Sequence, residues 1–365
     1  MVLPLTAMNL PPTYVDGFHD LAEVRKMKYR KLGDTGMVVS VLSFGASSLG
    51  SVFRKTDDEE SVRVVHKVIK SGVNLIDTAP WYGHGKSERV LGMALKGVPR
   101  KAYYLNTKVG RYDPDVTKMF DFTAERTIRS VHESLERLGV DYIDCIQVHD
   151  PEFAPSIDIL LKETLPALDV LRSRGTVRKI GITGYPLDFQ REIIERSSIK
   201  IDTSLVYCHY SMNDRTLMDS FLPFLNDRGI GCINASPISM GLLSHRGPPS
   251  WHPASDKIKD VCKAASEHCA SQDVNISKLA MHFTLSNEAL PTTLVSTASM
   301  DRTISNLAAV SETLTEKEQR TSDQVMETFF NNLQGKDAQW LGYEVEKYWN
   351  DRKRKWEAMA DDTMK

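Results

Sequence analysis

Residues 74–88 read NLIDTAPWYGHGKSE, and this stretch joins a short apolar run to a loop of polar and aromatic residues. Leu75 and Ile76 are typical of a buried strand, which ends in the carboxylate of Asp77. Proline and glycine residues then break regular structure, so the part that contains Tyr82 is predicted to be a loop. A charged residue at a strand end, followed by such a loop, is typical of the rim of an active site.

The same unit of strand and amphipathic helix repeats along the chain. Strands are predicted at 41–45, 75–77, 103–108, 142–148, 179–183, 203–207, 231–235 and 294–296. Helices are predicted at 58–71, 87–95, 123–138, 157–174, 187–195, 216–228, 255–270, 276–285 and 301–310. This alternation predicts a parallel sheet, and eight units in about 270 residues favour a closed (β/α)8 TIM barrel. An open doubly wound sheet is the alternative, but the G-x-G-x-x-G that such a sheet usually carries after its first strand is absent.

Three regions follow from this pattern. Residues 1–26 contain prolines and no periodicity, which predicts an irregular N-terminal arm. Residues 27–310 are predicted to form the barrel, preceded by a β-hairpin around Gly33 and Gly36. Residues 311–365 are charged and predicted to be a helical C-terminal extension that caps the barrel or contacts a partner. The favoured interpretation is a solvated helix held by a few aromatic residues, taken from Trp340, Tyr343, Tyr348 and Trp356.

The composition excludes several classes of function. The 365 residues include 46 Lys and Arg against 48 Asp and Glu, so the net charge of −2 gives no attraction to nucleic acid or anionic membranes. No apolar run reaches the roughly 18 residues that span a bilayer, and the N-terminus lacks the basic region of a signal peptide. Five scattered cysteines lack metal-binding spacing and indicate buried thiols. A cytoplasmic monomer or weak homo-oligomer is therefore expected.

Four reactive side chains are predicted to meet at one end of the barrel. Asp77 and Tyr82 follow the second core strand, Lys108 ends the third, and His149 follows the fourth. The carboxyl ends of barrel strands open on the same face, where active sites lie. An ammonium next to a phenol favours the phenolate and lowers the pKa of the phenol from its usual value near ~10. The phenol can then exchange a proton with a carbonyl or alcohol oxygen, and the missing reactant is a hydride from a nicotinamide cofactor.

These residues also allow other interpretations. Each of the four side chains alone is compatible with a structural role, such as a turn cap or a solvated charge. A metal-dependent hydrolase could use Asp77, His84, His149 and Asp150, but no H-x-H follows the first strand and Lys108 would repel a cation. The tripeptide G-K-S at 85–87 suggests a phosphate-binding loop, but Pro80 stands where that motif needs glycine.

The stretches NLIDTAPWYG, TKV and QVHD together resemble the signature of the aldo-keto reductases, a likeness that extends over residues 27–310. The resemblance implies that Tyr82 is the acid and base, that Lys108 and Asp77 tune it, and that His149 orients the substrate. It also implies a hairpin plug at the bottom of the barrel, a small sugar or carbonyl substrate, and NAD or NADP as the cofactor.

The resemblance also implies cofactor contacts, which depart from the family pattern in places. Where the family holds the nicotinamide carboxamide with Ser, Asn and Gln, this chain has Thr183, Gly184 and Tyr207, so that contact is altered. The stretch ASPISMGLL implies a pyrophosphate contact by Ser236, Ile238, Met240, Gly241 and Leu242. The stretch STASMDRTISN implies an adenosine contact by Thr297, Ser299, Arg302 and Asn306.

Two further features of the sequence bear on which cofactor and which substrate are expected. Ser296 stands where many NADP-preferring members have a lysine, which favours NAD, although Arg302 leaves NADP open. The stretches GITGYP, VYCHY and WHPAS resemble the L-galactose dehydrogenase-like branch, whose members are implied to oxidise a sugar hemiacetal. The substrate pocket is then expected to include Trp81, Asp150, Tyr185 and Trp251. The alternative from another class is a cofactor-binding regulatory or interaction subunit with little turnover.

Overall fold

The computed structural model describes residues 10–333 and 335–363, and all of their side chains except those of 335, 336 and 360–363. Its strands are β1 Tyr29–Lys31, β2 Val38–Ser40, β3 Leu42–Gly45, β4 Leu75–Asp77, β5 Tyr104–Val109, β6 Ile143–His149, β7 Val177–Gly184, β8 Thr203–Tyr207, β9 Gly231–Ala235 and β10 Thr292–Ser296. Strands β3 to β10 form a closed barrel in which each neighbouring pair is parallel, and β10 closes it against β3. The predicted (β/α)8 barrel is therefore confirmed.

Helices on the outside of the barrel alternate with the strands. In chain order they are α1 Leu21–Val24, α2 Asp58–Lys70, α3 Lys86–Leu95, α4 Ala124–Leu138, α5 Ile157–Ile159, α6 Leu165–Ser173, α7 Leu187–Arg196, α8 Phe221–Asp227, α9 Asp256–Ser271, α10 Ile276–Leu285, α11 Met300–Ala308, α12 Glu316–Val325 and α13 Tyr343–Thr363. Because helices cover the outer face and side chains fill the inner one, all seven residues of β6 are buried.

Helix α4 illustrates how the sequence sets these elements. The Thr123 hydroxyl accepts a hydrogen bond from the Arg126 amide at the start of the helix, and Gly139 ends it with a left-handed φ of 66°. Val131 and Leu138 lie on the face that packs on the barrel, where burial of each contributes roughly 1.5–3 kcal/mol. The cap, the stop and the apolar stripe all agree with the predicted helix.

Two predicted helices are interrupted, and a proline explains each interruption. The helix expected at 157–174 contains a π-helical turn, Leu160–Thr164, directly before Pro166. The helix expected at 216–228 is split into a 3-10 turn, Thr216–Met218, and α8. Pro223 falls in the first turn of α8, where its missing N–H costs no hydrogen bond, whereas a longer helix would place it in the interior.

The β1–β2 hairpin closes the amino-terminal end of the barrel, as expected. Its strands pair antiparallel, and the turn between them lies under β9. The Asp34 amide donates a hydrogen bond of 2.7 Å to the Gly229 carbonyl, and a Cβ at Gly231 would lie 2.6 Å from Leu32. The opposite, carboxyl-terminal end of the barrel is therefore the open one.

The N-terminal arm and the C-terminal extension can be compared with their predicted structures. The first nine residues of the expected arm at 1–26 lie outside the described residues, and the remainder is irregular apart from the single turn α1. In the C-terminal extension, Val325 and Phe330 are buried against α9 and α10, and Lys278 forms an ion pair of 2.7 Å with Glu318. Beyond them, Trp340 and Tyr348 are buried, while Tyr343 and Trp356 are more than half exposed.

The five cysteines are all buried and carry free thiols. Burial raises the pKa of Cys145 and Cys232 to about 12 and that of Cys269 to about 11. Within residues 10–333 and 335–363, no helix has the length and apolar character needed to cross a membrane.

Candidate active site

The strand ends predicted to carry chemistry meet at the open end of the barrel. Asp77 ends β4 and pairs in register with Asn106 of β5. Lys108 of β5 pairs with Gln147 of β6, and His149 of β6 pairs with Thr183 of β7. The closed barrel turns these neighbouring ends inward, so residues far apart in the sequence line one cavity mouth.

Lys108 and Asp77 form a buried ion pair. The Lys108 ammonium donates hydrogen bonds to Asp77 Oδ1 at 2.5 Å and to the Thr78 carbonyl at 2.8 Å. The Asn106 amide donates to the other Asp77 oxygen at 2.6 Å. Burial alone would lower the pKa of Lys108, but Asp77 and Tyr82 more than offset it, so that pKa lies above its usual value. Lys108 therefore remains positively charged.

Tyr82 lies beside this ion pair. The Lys108 nitrogen is 5.0 Å from the centre of the Tyr82 ring, within reach to donate a hydrogen bond to the hydroxyl. The sequence predicted a net lowering of the pKa of Tyr82, and this prediction is wrong for the protein alone. Burial raises that pKa above 10, and the Lys108 charge opposes it without cancelling it. The phenol is therefore protonated at neutral pH.

His149 faces Tyr82 across the mouth. The two rings pack edge to face with their centres 5.8 Å apart. Burial lowers the pKa of His149 to about 3, although the Asp150 carboxylate opposes this shift. The imidazole is neutral, and its Nδ1 has no hydrogen-bond partner among the described residues. A neutral ring with Nε2 beside the Asp150 carboxylate, at 3.6 Å, can hydrogen-bond a substrate oxygen without adding charge.

Arg111 is a site residue that the sequence reasoning missed. It forms an ion pair of 2.7 Å with Asp150, and its guanidinium stacks 4.1 Å above the centre of the Trp81 ring. Two of the predicted pocket residues, Trp81 and Asp150, are thus joined through a cation. Arg111 comes three residues after Lys108, so the rule that strand ends carry function could have identified it.

Two carboxyl groups near Asp150 were also missed. Glu152 follows β6, and its Oε1 accepts a hydrogen bond of 3.0 Å from the Tyr185 amide. Burial and the Asp150 charge raise the pKa of Glu152 to about 8. Burial and Asp150 also raise the pKa of Glu344, which comes from α13. Glu152 lies close to His149 in the sequence and could have been found, whereas nothing in the tail marked Glu344.

Aromatic rings connect the C-terminal extension to the barrel mouth. Trp340 stacks on Tyr185 with ring centres 4.6 Å apart, and Tyr185 packs against Tyr207 at 5.5 Å. Trp251, expected in the pocket, lies at the outer end of this row. It stacks on His252 and Phe53 and is 52% exposed, so it contacts the rim and not Trp81 or Tyr185. On the other side, Tyr348 packs on Phe120 and Phe153.

The residues expected to hold a cofactor lie along the strand ends beyond His149. Thr183 is buried at the end of β7, and Tyr207 is half-buried at the end of β8. After β9 the backbone turns sharply, with left-handed φ values at Ser236, Met240 and Gly241. In the same loop Leu242 is buried, while Ile238 is half-buried. Within this turn the Ser239 and Gly241 amides donate hydrogen bonds to carbonyls of the same loop, which hold its shape.

At the expected adenosine end, α11 begins after β10 with Ser299 as its N-cap residue. Thr297 is buried, Asn306 is half-buried and Arg302 is exposed. Burial lowers the pKa of Arg302, and the charges of Arg54 and Arg246 lower it further, so three guanidinium groups lie near one another. None of the three forms an ion pair with a carboxylate of the described residues. The Ser296 hydroxyl is used within the fold, where it accepts from the Ser48 amide at 2.9 Å.

These observations fit a bound dinucleotide. Arginines without an ion pair at one end and an unpartnered buried oxygen of Glu152 at the other end are features that such a ligand satisfies. The described residues hold no group of three or more His, Cys, Asp or Glu side chains arranged to bind a metal ion.

The G-K-S stretch has a structural role. Gly85 adopts a φ of 85° before α3, and Lys86 forms an ion pair of 3.0 Å with Asp58. The Ser87 hydroxyl donates to the Ala46 carbonyl at 2.6 Å, and Glu88 is buried against Arg137 at 2.7 Å. These contacts fix the loop that carries Tyr82 to the rest of the barrel.

Comparisons with known proteins agree with this geometry. The model of the aldo/keto reductase family matches residues 41–327. L-galactose dehydrogenase of Arabidopsis thaliana is 46% identical over 290 residues, which cover 79% of this chain and 89% of that protein. D-arabinose 1-dehydrogenase of Saccharomyces cerevisiae is 32% identical over 262 residues, covering 68% of this chain and 76% of that protein.

A solved structure is similar as well. The holo form of an aldo-keto reductase from Bacillus halodurans superposes with a TM-score of 0.67 and 30% sequence identity. The superposition covers 82% of this chain and 96% of that one.

Proposed function

This chain belongs to the aldo/keto reductase family, an oxidoreductase family, and we propose that it transfers a hydride between NAD and C1 of a sugar hemiacetal. The observation that carries the proposal is the buried Lys108–Asp77 pair next to the facing rings of Tyr82 and His149. Proton transfer at an oxygen and hydride transfer at the attached carbon together interconvert an alcohol and a carbonyl group.

The proposed mechanism assigns one role to each side chain. His149, being neutral, hydrogen-bonds the reacting oxygen and orients it toward Tyr82. In oxidation Tyr82 Oη accepts the hydroxyl proton, and in reduction it donates the proton back. Lys108 stabilises the phenolate, and Asp77 keeps Lys108 charged and in place. When bound, a nicotinamide ring supplies or accepts the hydride.

Two sets of residues would hold the cofactor. Thr183 and Tyr207 would lie at its nicotinamide end, and the left-handed turn at Ser236, Met240 and Gly241 would lie at its phosphates. We infer a preference for NAD because the Ser296 hydroxyl is committed to Ser48 and no lysine stands there. NADP is the second candidate, since a 2′-phosphate would meet the positive charge around Arg302.

The polar groups around His149 favour a polyhydroxylated substrate. Asp150, Arg111 and Glu344 surround the mouth, and Trp81 offers an aromatic face. Carboxylates and a guanidinium can pair with several sugar hydroxyls, and aromatic faces pack on the C–H faces of sugar rings. The names of the two similar dehydrogenases support an aldose substrate such as L-galactose or D-arabinose.

The test is turnover by wild type and by Tyr82→Phe, followed through the nicotinamide absorbance with a panel of aldoses and carbonyl compounds. Wild type should oxidise at least one aldose with NAD. Tyr82→Phe should lose at least about a hundredfold in turnover, because the general acid and base is removed, while NADH binding is unchanged. Tyr142→Phe, at the closed end of β6, is the matched control and should retain activity.

Two results would contradict the proposal. Wild-type turnover in Tyr82→Phe would remove Tyr82 from the chemistry. Absence of turnover with every compound, together with tight NADH binding, would favour the regulatory or interaction subunit instead.

A further inference from the structure

Glu152 is a half-buried residue whose carboxyl group the mechanism above does not use. It lies in the 3-10 turn Pro151–Phe153, which follows His149 and β6. Its Oε1 accepts a hydrogen bond from the Tyr185 amide, but its Oε2 is buried and has no partner among the described residues. A buried polar atom without a partner costs on the order of 1–3 kcal/mol, so a ligand group that pairs with it gains affinity.

This free oxygen occupies the space that a side chain at residue 184 would need. A Cβ built on Gly184 would lie 2.5 Å from Glu152 Oε2 and 3.2 Å from its Cδ. The three nearest atoms to that Cβ all belong to the Glu152 carboxyl. Gly184 does not have a left-handed backbone, so it is the missing side chain that matters here, and not the flexibility of glycine.

The position of Glu152 places it toward the proposed nicotinamide end of the cofactor. Gly184 and Thr183 are the last residues of β7, and Tyr207 ends β8 beside them. Burial raises the pKa of the Tyr207 phenol, and Glu152 is one of the carboxyl groups near enough to raise it further. The carboxyl therefore lies near Tyr207, at the proposed nicotinamide end.

A neutral carboxyl resembles a carboxamide in its hydrogen bonding. It has one O–H donor and one carbonyl acceptor on the same planar group. Burial and the Asp150 charge raise the pKa of Glu152 to about 8, with Glu344 acting in the same direction and the Tyr185 amide opposing. Arg111, a cation near this group of carboxyls, is already paired with Asp150. At neutral pH most of Glu152 is therefore protonated.

We propose that Glu152 binds the carboxamide of the nicotinamide, replacing the amide side chain that residue 184 does not provide. The inference rests on the proposed function, because it needs a nicotinamide cofactor at this end of the barrel. It identifies a binding residue that reaches the site from the loop after β6 and not from β7. The carboxyl oxygen that lacks a protein partner is the atom available to the ligand.

The experiment measures the binding of two ligands by calorimetry. NADH carries the carboxamide, and ADP-ribose is the same molecule without the nicotinamide ring. Glu152→Ala should weaken NADH binding about tenfold or more, equivalent to ~1.4 kcal/mol, and leave ADP-ribose binding unchanged. Glu152→Gln keeps a donor and an acceptor on the same stem, so its NADH affinity should stay within about twofold of wild type.

A second variant restores the amide from the neighbouring strand. In Glu152→Ala combined with Gly184→Asn, the space around residue 184 is free because its nearest neighbours have been removed. The new amide should recover most of the lost NADH affinity. The double variant also refills the vacated volume, so it serves where Glu152→Ala alone does not fold.

Several outcomes would overturn the inference. One is an NADH affinity that is unchanged in Glu152→Ala. Another is an equal loss of affinity for NADH and for ADP-ribose in that variant, because this would indicate a structural role. Glu152→Gln as weak as Glu152→Ala would mean that a charged carboxylate is required. Wild type that binds neither ligand would instead contradict the proposed function itself, and the inference with it.

Discussion

At the scale of single residues, the site depends on a charge that is held where water cannot reach it. Lys108 is only 1% exposed, and its charge persists because Asp77 accepts one of its hydrogen bonds. The same ammonium is the force that opposes the effect of burial on the pKa of Tyr82. Removing Lys108 should therefore affect both the stability of the fold and the pH at which Tyr82 works.

Lys108→Met is expected to lower turnover by about a hundredfold or more, because the pKa of Tyr82 rises further without the ammonium. Oxidation needs the phenolate, so its rate increases with pH, and this increase should move to higher pH in the variant. The unpaired Asp77 should also cost about 3–5 kcal/mol of the free energy of unfolding. The measurements are the pH profile of oxidation and urea unfolding.

Arg137→Met is the matched control, since Arg137 pairs with the buried Glu88 away from the chemistry. This variant should lower the free energy of unfolding and leave the pH profile of oxidation unchanged. A pH profile unchanged in Lys108→Met would show that Lys108 has only a structural role.

Glu152→Gln is expected to change how stability depends on pH. The pKa of Glu152 is about 8 in the folded protein, against roughly 4.3 for an exposed glutamate in the unfolded chain. Protonation is thus favoured by folding, and wild type loses stability as the pH rises through this interval. Glutamine does not titrate, so the variant does not lose this stability. Its Tm relative to that of wild type should therefore rise by on the order of a few degrees from pH 5 to pH 8.

The control for this comparison is Glu312→Gln at an exposed position. The difference in Tm between Glu312→Gln and wild type should be the same at pH 5 and at pH 8. If the difference in Tm between Glu152→Gln and wild type is also the same at both pH values, Glu152 is already ionised in the folded protein.

At the scale of elements, the C-terminal helix α13 borders the proposed substrate side of the mouth. Tyr348 packs on Phe120 and Phe153, Lys355 pairs with Asp115 at 2.8 Å, and Glu344 lies near Asp150. Glu344 also lies near Tyr207 and Glu152, which are proposed to bind the cofactor. Most of these contacts are therefore on the proposed substrate side, and Glu344 alone among them borders the cofactor end.

A chain that ends after Leu341 should lose more affinity for the sugar than for NADH. The truncation removes Glu344 and Tyr348 but retains Trp340 on Tyr185. We expect kcat/KM for the aldose to fall at least about tenfold, mainly through KM, since pocket contacts are lost. Steady-state kinetics and NADH titration measure the two effects, and Trp356→Ala, at an exposed position, is the control. An equal loss of affinity for both ligands would contradict the assignment of α13 to the substrate side.

The same elements show how far the sequence could be read. Strands such as β4 and β8 were predictable because apolar runs between breakers have few other conformations. The interruption at Pro166 and the split before Pro223 depend on where each helix begins, which local propensity does not determine. The expectation that residues at the carboxyl ends of strands meet at one end of the barrel predicted where Asp77 and His149 lie. It could not identify Glu344, since only tertiary packing brings α13 to the mouth.

At the scale of the whole molecule, stability and chemistry lie at opposite ends of the barrel. The hairpin seals the closed end, where Gly33 approaches β9 so closely that a Cβ would lie 2.5 Å from the Gly229 carbonyl oxygen and the Gly231 amide nitrogen. The side chains proposed to react lie at the other end, at the carboxyl ends of β4 to β6. Changes at the hairpin should therefore alter folding without altering the reaction.

Gly33→Ala is expected to lower the free energy of unfolding by about 3 kcal/mol or more, since the Cβ meets backbone atoms at a left-handed φ of 49°. Gly36→Ala is the matched control. Its φ is 81°, but nothing lies within 4 Å of its Cβ, so only the backbone cost of about 1 kcal/mol is expected. Chemical denaturation measures both, and kcat/KM per folded molecule should match wild type. A lower kcat/KM in folded Gly33→Ala would contradict the separation of the two ends.

The burial of all five cysteines has a practical consequence for following this protein at work. Thiols that are shielded and protonated do not react with maleimides at neutral pH. A single cysteine introduced on the solvent side of α13 would then carry a fluorophore without background labelling. Energy transfer from a bound reduced nicotinamide to that dye would report the distance between the proposed cofactor site and α13 during turnover.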